Sequence, residues 1–152
     1  MAGEGTFPKD DGDIAFASDF NRMDILIKTV SWTTSFSTDN TSFIDVTDAT
    51  ATLTGMDSTK TYIIFAIINP SKIGANAQGI TVRVVIDGVA NTIAAFNSPD
   101  SESFPVELHG IKTGVTSTTS IVAKLQIKTD TGTVTVNASN ETARITILAF
   151  PQ

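Results

Sequence analysis

The sequence predicts an all-β domain, a two-sheet antiparallel β-sandwich of about nine or ten short strands. Three observations carry that prediction. Ile is 17, Val 11 and Thr 24 of the 152 residues, a third of the chain, against five Leu and four Glu. β-Branched side chains are stiff at the first torsion and fit a pleated sheet, whereas Leu, Glu, Lys and Ala fill helices. From residue 31 onward the apolar residues recur with period two, and turn residues recur roughly every ten positions, the rhythm of a sandwich or barrel. A single sheet of that many strands curls or splits, so two packed sheets are expected.

The elements follow in order. Residues 1–17 contain Gly, Asp and Pro without periodicity, and Lys9-Asp10-Asp11-Gly12-Asp13 reads as a turn. Ser18 is a suitable N-cap and Asp19 complements a helix N-terminus. Phe20, Met23, Ile27 and Val30 then recur at spacings of three, four and three. This spacing predicts a short helix over about 18–29; the competing reading is a strand over Asp24 to Val30, where Ile25, Ile27 and Val30 are β-branched. The expected organisation is an N-terminal arm, 1–30, followed by a sandwich, 31–152.

Strands are expected at 31–36, 42–46 and 49–54, with Thr47-Asp48 between the last two and a turn at Gly55 to Ser58. Thr61 to Ile68 is the most apolar segment and reads as a central strand buried on both faces. Pro70 ends it, because proline cannot continue a ladder. Ile73 to Gln78 reads as a loop. Ile80 to Ile86, Asp87-Gly88 and Val89 to Phe96 form the strongest local signal, a hairpin on a turn that needs positive backbone angles. A loop at Asn97 to Ser103, a strand at Phe104 to His109 and a turn at Gly110 to Gly114 follow. Thr119 to Lys128 alternates, Thr133 to Ala138 returns after Asp130-Thr131-Gly132, and Thr142 to Phe150 ends the domain with Ala143, Ile145, Ile147 and Ala149 on one face.

Composition narrows the function. With no cysteine there is no disulfide framework and no cysteinyl metal or redox site. A net charge of −6 opposes nucleic-acid binding, which needs clustered Lys and Arg. The longest apolar run, Ile63 to Ile68, is far short of the roughly 18–20 residues of a membrane span. The N-terminus has no basic start followed by an apolar stretch, so no secretory signal is expected.

The single histidine, His109, stands near Glu107; a general base with an orienting carboxylate is weighed against a structural role, and the structural role is preferred. Glu4, Glu102, Glu107 and Glu141 read as solvated charge rather than as a glycosidase pair. Asp10-Asp11-Gly12-Asp13 lacks the alternate spacing and closing Glu of a calcium loop, and Asp100-Ser101-Glu102 is no stronger. The sequons at Asn40, Asn137 and Asn140 are chance matches in a Ser/Thr-rich chain. Of the two aromatics with a polar handle, Tyr62 reads as core and Trp32 is the candidate ligand platform. The stripe Phe20, Met23, Ile27, Val30 either packs on the sandwich or, having the seam spacing of a coiled coil, supplies candidate contacts between copies. No catalytic, cofactor or metal site is assigned.

The segment Gly12-Asp13-Ile14-Ala15-Phe16-Ala17-Ser18-Asp19-Phe20-Asn21 resembles the N-terminal segment of modules in bacteriophage and prophage tail-fibre and other virion structural proteins. Ile86-Asp87-Gly88, Gly110 to Gly114, Ile121 to Lys128 and Gly132 to Val136 resemble the end of the jelly-roll sandwiches those proteins carry, although the Gly-x-His-Thr opening seen in many of them reads Ser117-Thr118-Thr119-Ser120 here. The resemblance implies a jelly roll of the C1q and tumour-necrosis-factor shape and a non-enzymatic homotrimer in a virion, as fibre, spike or head decoration, assembled in a host cytoplasm. Its expected partners are copies of itself and a cell-surface glycan or protein receptor, with no nucleic acid, membrane insertion or cofactor. A monomeric carbohydrate-binding module is the alternative, and a polysaccharide-processing enzyme the third reading. High apolar content with few charges, 41 % against 17 %, favours a partner copy.

Overall fold

The computed structural model describes residues 24–70, 72–74, 76–98, 103–138 and 143–152. Among them are thirteen strands and no helix: β1 (Leu26–Trp32), β2 (Phe36–Thr38), β3 (Ile44–Thr54), β4 (Tyr62–Asn69), β5 (Lys72–Gly74), β6 (Ala77–Ile86), β7 (Val89–Ser98), β8 (Ser103–Pro105), β9 (Leu108–Val115), β10 (Ser120–Lys128), β11 (Thr131–Gly132), β12 (Val134–Asn137) and β13 (Ala143–Pro151). All pairings are antiparallel. The first sheet runs β1-β13-β4-β9; the second runs β3-β10-β6, with β7 and the short β11 both on β6. The third, β2-β12-β5-β8, is built of short strands.

The first two sheets face each other: β1 and β13 pack on β3, and β9 packs on β6 and β7. Period-two alternation makes this possible, because every second side chain points to the same face. β13 sends Ala143, Ile145, Ile147 and Ala149 inward, and β4 sends Tyr62, Ile64, Ala66 and Ile68. The second sheet answers with Leu53 from β3, Ile80, Val82 and Val84 from β6, and Ile121, Ala123, Leu125 and Ile127 from β10. These form one continuous core. Ile73, Val134 and Val136 of the third sheet belong to the same core, an extension that period-two reading of two long sheets does not anticipate.

The helix expected over 18–29 is overturned where the structure describes it; residues 18–23 lie outside the described residues. Leu26–Trp32 is a strand paired with Ala149 to Ala143 of β13. The physical reason is the β-branched run: Ile27 and Val30 are an odd number apart, so the strand turns them to opposite faces. Val30 packs on the core while Ile27 faces out. The ladder to β13 offers seven cross-strand positions that a lone helical turn cannot match.

Thr47-Asp48 does not separate two strands. β3 continues through it as a bulge, with Asp48 at φ 63° and the register against β10 broken between Lys124 and Gln126. β4 is central but buried on one face only: Ile63 and Phe65 are half-buried, Ile67 exposed. The expected loop at 73–78 holds most of β5 and the start of β6. The expected turn at Gly110 to Gly114 is strand β9. Gly110 is there for close approach, since a Cβ would lie 2.9 Å from Asn91 Cβ, and Gly114, at φ 65°, sits in the bulge against Tyr62 and Ile64.

The 87–88 hairpin forms as expected, with Asp87 at φ 49° and Gly88 at φ 77°, the positive pair that a type I′ turn requires. On the same side of the sandwich the two sheets are clipped together. Ile111 N–H donates to Asn91 Oδ1 at 3.2 Å, and Lys112 Nζ donates to Asp87 Oδ2 at 2.8 Å.

Candidate interaction face

Directly opposed residues in an antiparallel pair share a face. The register therefore defines the outer surface of the first sheet row by row. Ile27 lies opposite Leu148, Leu148 opposite Phe65, and Phe65 opposite Ile111. Four large apolar side chains thus cross all four strands in a single row. Beside it, Phe150 lies opposite Ile63. Phe65 and Phe150 meet edge to face, 5.5 Å between centroids at 83°, the arrangement that the ring quadrupole favours. On the other side runs the row Thr29, Thr146, Ile67 and His109, with the two threonine hydroxyls 3.0 Å apart. Ser31, Arg144 and Asn69 form the last row.

The exposure of this face is unusual for an apolar row. Ile27 is 62 % exposed, Ile111 47 % and Ile67 41 %. Four strands at about 4.8 Å spacing and seven residues at about 3.3 Å rise outline roughly 400 Å² of projected sheet, shared between the apolar row of Ile27 and the more polar rows of Thr29 and Ser31. Near its polar end lies an open depression of about 560 Å³ lined by Ile67, Asn69, Glu107, Arg144, Thr146 and Leu148.

The outer face of the second sheet contrasts with it. Arg83 stacks on the Phe43 ring at 3.8 Å and donates from Nε to Gln126 Oε1 at 2.8 Å. Gln126 donates to Asp45 Oδ1 at 2.7 Å, and Lys124 to Asp45 Oδ2 at 2.7 Å. The hydrogen bond from Lys124, then that from Gln126, holds the Asp45 carboxyl below the usual carboxylate range. Polar side chains of β3, β10 and β6 satisfy one another there, while Ile93 of β7, opposite Arg83, is 58 % exposed; on the first sheet the apolar row has no cover among the described residues.

The residues singled out in the sequence are placed as follows. Ile27 lies on the exposed apolar row and Val30 on the core side of the same strand; Phe20 and Met23 lie outside the described residues. Trp32 is 4 % exposed and part of the core. A ligand platform needs an open ring face, so Trp32 does not provide one. Tyr62 is core, and its hydroxyl accepts from Asp57 N–H at 3.0 Å. His109 and Glu107 are both exposed. Glu4, Glu102 and Glu141 and both acidic stretches, 10–13 and 100–102, lie outside the described residues. Among the described residues no group of three or more His, Cys, Asp or Glu could hold a metal ion. Sequence reasoning missed Phe65, Ile67, Ile111 and Leu148. Their signal was the apolar run 63–68, which is equally the mark of a strand covered by its own chain.

No family model matches the chain, and no curated protein matches it. Among solved structures it is similar to dimeric latent PorU from Porphyromonas gingivalis, with TM-score 0.43 and 8 % identity over 84 % of this chain and 13 % of that one. It is also similar to the C-terminal domain of EclA, a sugar-binding protein, with TM-score 0.36 and 17 % identity over 97 % and 88 %. VP2 of infectious bursal disease virus, from a subviral particle, gives TM-score 0.37 and 12 % identity over 85 % and 43 %. The chain thus spans about an eighth of PorU and under half of VP2. At TM-scores below 0.5 these likenesses decide nothing about function.

Proposed function

We propose that this chain is a non-enzymatic structural module of a virion-type assembly, a fibre, spike or head-decoration unit, that acts as a homotrimer in contact through the outer face of its first sheet. The observation that carries the reading is the row Ile27, Leu148, Phe65, Ile111, exposed at Ile27 and Ile111, half-buried at Leu148 and Phe65, and without cover among the described residues. Apolar side chains left in water are unfavourable, and association removes them from it. The strand order supports the module type. Counting only the eight long strands in chain order, the sheets run 1-8-3-6 and 2-7-4-5, the paired Greek keys of a jelly roll. The resemblance to trimeric fibre and spike modules sets the expected number of copies at three. With copies on the first sheet, the loops and the outer face of the second sheet, with its Arg83–Gln126–Asp45–Lys124 chain of polar contacts and exposed Ile93, remain outward, available to a receptor.

Size-exclusion chromatography with light scattering tests this. The expected result at micromolar concentration is a particle of three 16.0 kDa chains, and Phe65→Lys is expected to yield monomer. A monomer from the unsubstituted chain would sink the reading.

A further inference from the structure

We infer that Arg144 of one copy pairs with Glu107 of the next across the first-sheet interface and thereby fixes how the copies are rotated against each other. The inference rests on the self-association proposed above. Both residues line the same depression, whose floor is apolar Ile67 and Leu148. Arg144 is held in β13 between Ser31 and Asn69; Glu107 precedes β9, beyond the His109–Ile67 pair. Both are exposed.

Neither residue forms an ion pair among the described residues. The pairs that do form join lysines to aspartates: Lys60–Asp24, Lys112–Asp87, Lys124–Asp45 and Lys128–Asp130. Arg83 is committed to Phe43 and Gln126. This leaves a guanidinium and a carboxylate on one face, the donor and acceptor best suited to a bidentate bond.

A partner that covers Ile67 and Leu148 in this depression draws the neighbouring charges out of water, and a charge buried without a partner is strongly unfavourable. A second copy of this chain brings Glu107 and Arg144 themselves. Electrostatics also permits it to approach. The chain has 16 Asp and Glu, yet the rows Ile27 to Ile111, Thr29 to His109 and Ser31 to Asn69 contain no carboxylate, and Glu107 at their margin is offset by Arg144. The face is locally near neutral on an acidic molecule, where two copies meet without the repulsion felt elsewhere.

The test is charge exchange in the full chain: Arg144→Glu, Glu107→Arg and the double variant, followed by light scattering over a dilution series. Each single change is expected to raise the concentration of half-dissociation by about tenfold or more, and the double variant to return it to within about threefold of the parent. Singles that leave association unchanged, or a double variant weaker than either single, would overturn the pairing; if Phe65→Lys still yields monomer in that case, the proposed assembly stands without it. Melting temperature in the Phe65→Lys background separates folding from assembly. There the charge changes are expected to leave it unmoved, and a drop would show that the two residues pair within one chain and overturn the inference.

Discussion

Trp32 carries a buried indole Nε1–H with no hydrogen-bond partner among the described residues. An unmet buried donor forfeits the bond it had with water, while the ring around it gains from burial. Trp32→Phe keeps much of the ring and sheds the orphan. It is expected to stay within about 1 kcal/mol of the parent, while Trp32→Ala loses about 3–5 kcal/mol in urea titrations. Asp45 poses a different question at the same scale. Its carboxyl titrates below the ordinary 3.8 because Lys124 and Gln126 bond the charged form. The folded state therefore binds fewer protons than the unfolded one at low pH, and the contribution is present above the unfolded value and lost as pH falls through the folded one. Asp45 is exposed, so the effect is a fraction of a kcal/mol. Asp45→Asn is expected to lose less stability than the parent between about pH 5 and about pH 2, read as the shift in urea midpoint.

At the scale of elements, Gly110 ties β9 to β7. An added methyl would meet Asn91 Cβ at 2.9 Å and Val84 Cγ1 at 3.1 Å, and Asn91 is itself held by Ile111 N–H. Gly110→Ala is expected to cost about 1–3 kcal/mol by overpacking, measured by chemical denaturation. This strand also shows where sequence is informative. β13 was legible because Ala143, Ile145, Ile147 and Ala149 alternate without interruption. Within β9 the stretch Gly110 to Gly114 reads as a turn, because its two glycines look the same whether they bend a chain, admit a neighbour's side chain or seat a bulge. Of the helical stripe only Ile27 and Val30 are described, and there the spacing misleads for a related reason: a single three-residue step also occurs inside a strand. The candidate face was half legible. Ile63 to Ile68 announced an apolar strand, but period two cannot say whether the second face is covered by the same chain or by another.

For the whole molecule, the proposed association ties stability to concentration. If three copies share the first-sheet face, unfolding also separates them, and dilution must lower the melting temperature. A tenfold rise in chain concentration contributes about 1 kcal/mol per chain to a trimer, or about 2–4 °C for a chain of this length. Calorimetry at two concentrations is expected to show that rise for the parent and none for Phe65→Lys.

β1 and β13 are neighbours in the first sheet, and their pairing brings Leu26 beside Ala149. Asp24 is pinned by Lys60 at 2.9 Å, and Gln152 N–H donates to Thr61 O at 2.9 Å, on adjoining residues of the same corner. Residue 24 and the last residue therefore share one corner of the first sheet. A pull applied between these two points loads the β1–β13 edge by shear along paired strands, and leaves the core between the sheets out of its path.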